Sequence, residues 1–224
     1  MKTLLILDHA VHRDVYRPFE HWIRFVPEGV KVVRAPKEDP PPPARDVSHV
    51  LVTGSEDSIL EPAAWTQDRL GWIREARDAG VAVLGSCHGH QMIAAALAGP
   101  RCVRRSASPE FGWFEIEMLD DEADLFRGAS RPAFAFCSHF DEVAPLPEGF
   151  RVLGRSAGCA VQAFQVEGTR IFGVQAHPEI LPAEGERLLA DFSGLFPRIQ
   201  DHAVRRPARD TGLAALILRN FLAG

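Results

Sequence analysis

Short, continuous apolar runs recur in the first half of the chain: Thr3–Leu7, Lys31–Arg34, Val47–Val52 and Val81–Leu84. Such runs, without polar alternation, predict strands buried on both faces. Segments of helical periodicity lie between some of them. Asp14–Val26 places Val15, Phe19, Trp22, Ile23 and Val26 along one side, and Trp65–Ala79 does the same with Leu70, Ile73 and Ala76 before stopping at Gly80, a suitable C-cap. Strand alternating with helix predicts right-handed crossovers and an α/β fold: an open, mainly parallel, doubly wound sheet with helices on both faces.

The pattern changes after about residue 110. Phe111–Met118, Ala133–Cys137, Arg151–Gly154, Ala160–Val166 and Arg170–Gln175 are strand-like and joined in places by short turns such as Glu167-Gly168. They predict an antiparallel extension of the sheet. Two helices close the chain, about Ala183–Phe192 and Gly212–Phe221, and Pro40–Pro43 reads as a stiff surface loop. With no internal repeat and no break in composition, a single domain over residues 1–224 is expected.

Composition narrows the function classes. Of 224 residues, 46% are apolar and 25% charged, which supports a packed core and excludes a disordered chain. A net charge of −5 disfavours nucleic acid or an anionic membrane as a general partner. The local basic cluster Arg101, Arg104 and Arg105 reads as a solvated loop. Cysteines at 87, 102, 137 and 159 fit neither zinc-ligand nor CxxC spacing, so reduced thiols in a cytoplasmic protein are expected, with no metal and no other cofactor. The apolar run at the start is broken by Asp8 and His9, too early for a secretory signal, and no apolar stretch is long enough to cross a bilayer.

The chemistry concentrates in two segments. In the first, the predicted strand Val81–Leu84 runs into Gly85-Ser86-Cys87-His88-Gly89-His90-Gln91, and a helical pattern follows. A Gly-x-Cys-x-Gly turn between strand and helix is the sequence form of a nucleophile elbow. It sets Cys87 at a helix N-terminus, where free N–H groups and the dipole favour thiolate, and leaves the His88 N–H placed to hold an oxyanion. A lone cysteine is more often an inert core thiol; the flanking glycines and the strand-to-helix context decide for the nucleophile. Metal binding by Cys87, His88 and His90 is disfavoured, because these positions do not converge on one helix face. In the second segment, Gly173-Val174-Gln175-Ala176-His177-Pro178-Glu179, a strand ends in His-Pro-Glu. Pro178 keeps His177 out of the helical region. Glu179 can then hold one imidazole nitrogen and leave the other for Cys87.

These segments resemble the class I, or triad, glutamine amidotransferases, in particular the stand-alone domain of the GMP-synthetase type. The elbow looks like their Gly-x-Cys-x-Gly-x-Gln and the second segment like their Gly-Val-Gln-Phe-His-Pro-Glu. Ser138-His139-Phe140-Asp141 is similar to their Ser-His-Gly-Asp, Gln162-Ala163-Phe164 also recurs, and Leu51–Ser55 sits where they place an oxyanion loop. The resemblance implies that Cys87 attacks the γ-amide of glutamine or a related γ-glutamyl compound, that His177 protonates the leaving ammonia, and that water releases glutamate from a thioester. It assigns the oxyanion hole to Gly54, Ser55 and His88, and glutamine binding to Gln91, Ser138, His139 and Phe140. On this resemblance the ammonia goes to an unknown acceptor: the chain either lends it to a separate synthetase subunit or simply hydrolyses its substrate.

Three departures stand out: Thr53-Gly54-Ser55 for a double glycine, Phe140 for a glycine, and Ala176 for an aromatic. The last two would reshape the pocket and raise the alternative of a stand-alone hydrolase of γ-glutamyl amides. Cys87-His88-Gly89 also resembles the elbow of the PfpI family, which shares the architecture, and a non-catalytic regulatory subunit is the remaining alternative. His177-Pro178-Glu179 and Ser138-His139-Phe140-Asp141 favour the amidotransferase.

Overall fold

Alternate residues of the first strand leave by opposite faces, and this sets the layering of the fold. The computed structural model describes residues 2–119, 123–204 and 206–224; Met1, at the head of the N-terminal apolar run, lies outside them. Strands β1 (Thr3–Asp8), β2 (Lys31–Pro36), β3 (His49–Val52), β4 (Ala82–Ser86) and β9 (Ile171–Val174) pair in parallel in the order β2-β1-β3-β4-β9. Leu4 and Ile6 of β1 join a buried cluster with Trp22 of helix α1 (Pro18–Ile23) and Ile217, Leu218 and Phe221 of α5 (Leu213–Ala223). Leu5 and Leu7 face the other side, with Ile73 of α2 (Thr66–Asp78) and Met92 and Ile93 of α3 (His88–Ala98). Each fully buried side chain of this kind contributes roughly 1.5–3 kcal/mol.

Beyond β9 the sheet turns antiparallel through β8 (Ala163–Val166), β7 (Phe150–Arg155) and β5 (Val103–Met118), and β5 also pairs with β6 (Ala133–Val143). A two-residue strand, β10 (Ala203–Val204), pairs in parallel with Phe111 and Gly112 of β5. Helix α4 (Pro182–Leu195) follows the end of β9. The ten-stranded sheet stays open, as the sequence pattern predicts.

Several expectations need correction. The first helix does not reach back to Asp14: Pro18 stands in its first turn, lacks an N–H and would clash with an earlier turn. β2 is not buried on both faces but forms a half-exposed edge, its sequence polar where β1 is apolar. Arg104 and Arg105 do not sit on a free loop; they lie on β5 and pair with Glu142 and Asp141 across β6, each at 2.9 Å. The Pro40–Pro43 segment, by contrast, is the surface loop expected, and Trp72 Nε1 stiffens it by donating to the Pro42 carbonyl at 2.9 Å.

Candidate active site

The elbow is built by close approach of backbone to backbone. A Cβ on Gly85 would lie 2.5 Å from the Gly89 carbonyl, and one on Gly89 would lie 2.0 Å from the Val52 carbonyl oxygen, so neither position admits a side chain. Between them Cys87 has φ 49° and ψ −107°, the one non-glycine residue with positive φ among the described residues. Such a conformation costs of order 1–3 kcal/mol and persists only where the surroundings impose it. Here β4 and α3 do so, and Cys87 lines a cleft.

Cys87 Sγ lies 3.8 Å from the Ser138 carbonyl and accepts from Gln175 Nε2 at 3.6 Å. His177 is held from β6 by its own N–H, which donates to the Phe136 carbonyl at 2.7 Å. Its Nδ1 is 2.8 Å from Glu179 Oε1, and it lines the same cleft as Cys87. Burial alone would lower the His177 pKa, but the charges of Cys87 and Glu179 and the hydrogen bonds to both carry it up to about 10. The imidazole is therefore held as its cation at neutral pH, beside the sulfur.

Tyr16 completes this group from the loop before α1. Its hydroxyl donates to Glu179 Oε1 at 2.8 Å and lies 3.1 Å from His177 Nδ1. Burial, then the charge of Glu179, raises the Tyr16 pKa well above its ordinary value, so it remains a donor. Sequence reasoning missed Tyr16; it is the one tyrosine of the chain, but nothing local marks it. Gly54 lies against the same pair, since a Cβ there would be 2.7 Å from His177 Cε1 and 2.9 Å from Tyr16 Oη. Thr53 fixes this turn by accepting from the His9 N–H at 3.0 Å and donating to the Gly54 carbonyl at 3.1 Å.

The remaining expected residues converge on one cleft of about 650 Å³, counted to its mouth: Ser55, His88, Gln91, Ser138, His139 and Phe140 all line it. Gln91 Nε2 is already committed to the Asp141 carbonyl at 2.8 Å. The His139 ring is pinned at both nitrogens, by the Asp141 carbonyl at 3.1 Å and by Glu110 Oε2 at 3.2 Å. Ala176 is buried in the core and does not line the cleft, whereas Phe140 packs on Phe111 with ring centroids 4.7 Å apart.

One buried group of potential metal-binding side chains occurs among the described residues, Glu110, Cys137 and His139. Glu110 already accepts from Ser156 Oγ and Gln162 Nε2, both at 2.6 Å, and burial pushes the Cys137 thiol up, so the group reads as a hydrogen-bonded brace under β6. His88 packs on Trp65 and His90 on Phe164, in separate aromatic contacts.

The family described as glutamine amidotransferase class-I matches residues 12–193. A subunit of the glutamine-hydrolyzing GMP synthase of Saccharolobus solfataricus is 33% identical over 174 residues, covering 77% of this chain and 88% of that protein. The corresponding Thermococcus kodakarensis protein is 44% identical over 116 residues, 51% of this chain and 60% of that one. The GMP synthase of Clostridium acetobutylicum is 38% identical over 146 residues, 65% of this chain. That match spans only 27% of the Clostridium enzyme's own length. A glutamine amidotransferase structure from Thermotoga maritima superposes with a TM-score of 0.77 at 18% identity, over 100% of this chain and 99% of that one. One from Methylobacillus flagellatus does so with 0.73 at 20%, over 99% and 94%. These two speak for the fold alone.

Proposed function

The chain belongs to the class-I glutamine amidotransferase family, and on that premise we propose that Cys87, His177 and Glu179 hydrolyse the γ-amide of glutamine through a γ-glutamyl thioester. The observation that carries this reading is the contact set around His177: its Nδ1 is on Glu179 at 2.8 Å, and it shares one cleft with Cys87, which sits on a strained elbow. Cys87 Sγ attacks the amide carbon. Backbone N–H groups of His88 and of the Gly54-Ser55 turn receive the oxyanion, the helix start at His88 offering an N–H without an intrahelical partner. The C–N bond breaks as His177 passes a proton to nitrogen, and ammonia leaves. Water, deprotonated by the now neutral His177, adds to the thioester and frees glutamate.

Gln91 and the Ser138–Phe140 strand would hold the amino-acid end of the substrate. The described cysteines are all unpaired, in keeping with a reducing compartment such as the cytoplasm. Among the described residues no helix is long and apolar enough to cross a membrane. The relatives named as GMP synthase subunits suggest that the ammonia passes to a synthetase on another chain. The test is glutamate release from glutamine by purified protein. Cys87→Ala should lower the rate by at least about a thousandfold; a variant that retains parental activity would remove Cys87 from the mechanism.

A further inference from the structure

The cleft has two unlike walls. One is polar: Ser58 Oγ donates to the Asp141 carboxylate, Gln91 Nε2 to the Asp141 carbonyl, and Arg105 Nη1 lies 2.9 Å from Asp141 Oδ1. The other is apolar and continuous. Tyr16, Phe111, Phe192 and Ile199 belong to one buried cluster, against which Phe140 and Phe196 pack, and all six line the cleft.

The apolar wall adjoins His177. Tyr16 stands edge-on to His177, ring centroids 5.5 Å apart at 90°, and meets Phe192 at 6.1 Å. His177 is the group that protonates the departing nitrogen, and Tyr16, with Phe192 behind it, is the wall residue that borders His177. The polar wall suits the amino and carboxylate groups at the other end. Ammonia gains nothing from six apolar side chains; an organic substituent does.

Phe196 and Ile199 come after residue 193, where the family match ends. The segment is docked firmly: β10 pairs with Phe111 and Gly112, and a Cβ on Gly112 would lie 2.4 Å from the Val204 carbonyl oxygen.

Building on the Cys87 hydrolase reading, we propose that the substrates include secondary γ-glutamyl amides whose nitrogen bears an apolar group of butyl to benzyl size, seated on the Tyr16–Phe192–Phe196–Ile199 wall. The chemistry balances without a co-reactant other than water. The amide C–N bond breaks, the amine leaves with a proton from His177, and the thioester is hydrolysed to glutamate.

The experiment compares L-glutamine with the γ-glutamyl methyl-, butyl- and benzylamides, following glutamate release with Cys87→Ala as control. Methylamine and butylamine match in basicity, as do benzylamine and ammonia, so the butyl-to-methyl and benzyl-to-glutamine comparisons each read the pocket. We expect kcat/KM to rise along the series and to exceed that of glutamine by about tenfold or more for benzylamide, in line with the value of added apolar groups in a fitted pocket. Phe196→Ala and Ile199→Ala, each checked for a parental melting temperature, should lower the benzylamide-to-glutamine ratio by about fivefold or more. Cys87-dependent turnover of glutamine with no rise along the series, or an unchanged ratio in both variants, would overturn the proposal and leave the glutaminase reading standing. Absence of Cys87-dependent turnover of every substrate would overturn both.

Discussion

Two side chains meet on one oxygen at the heart of the cleft. Glu179 Oε1 takes both the His177 imidazole and the Tyr16 hydroxyl at 2.8 Å, while Glu179 Oε2 has no protein partner among the described residues. Tyr16 touches the relay but not the reacting carbon, which makes it a positioning residue. A hydrogen bond to a charged group is worth about 1.5–3 kcal/mol, so Tyr16→Phe should lower kcat about tenfold or more with KM little changed, and shift the pH profile of kcat. Equal profiles for the two proteins would reduce Tyr16 to a packing residue. The elbow cysteine and His-Pro-Glu were legible because each is a local motif whose residue types state their own reason. Tyr16 was not, because its partners lie more than 160 positions away and no periodicity or turn chemistry marks it.

Element packing explains which glycines matter. Gly89 lets α3 approach β3 so closely that Gly89→Ala, with its Cβ 2.0 Å from the Val52 carbonyl oxygen, should destabilise by at least about 3 kcal/mol. Gly71 is the contrast: it lies inside α2 with nothing within 4 Å of a Cβ, so Gly71→Ala should stabilise by about 0.5–1 kcal/mol. Urea unfolding of both variants checks the pair, and like signs would contradict the packing described. The strands and helices of the parallel half were readable from their apolar runs, whereas the length of the first helix depended on Pro18. The start of β5 at Val103 was hidden because Arg104 and Arg105 look like loop residues until Glu142 and Asp141 pair with them across the ladder. The aromatic wall was illegible for a similar reason: Phe111, Phe140 and Phe196 come from separate elements and meet only in the fold.

Across the whole molecule, buried neutral histidines set the response to acid. Burial, foremost, lowers the pKa of His9 well below its ordinary value, that of His88 to about 4 and that of His90 to about 3. The unfolded chain binds these protons near pH 6.5 and the folded chain resists them. Their contribution is therefore complete above about pH 6.5 and is lost as the pH falls toward the folded values. His177 runs the other way, its contribution complete below about 6.5 and lost as the pH rises through about 10. The melting temperature should accordingly drop between pH 6.5 and 4, and a flat profile across that range would mean that these rings are not held neutral. The positive φ of Cys87 carries a different consequence, one for the history of such a chain. A residue that catalysis alone keeps in an unfavourable conformation is a standing trade of robustness for reactivity. Cys87→Gly should yield a sturdier, inert protein, by about 1 kcal/mol in unfolding free energy. Descendants that cease to be selected for turnover have an easy downhill path to glycine at that one position, so the residue found there reports whether a lineage still depends on the reaction.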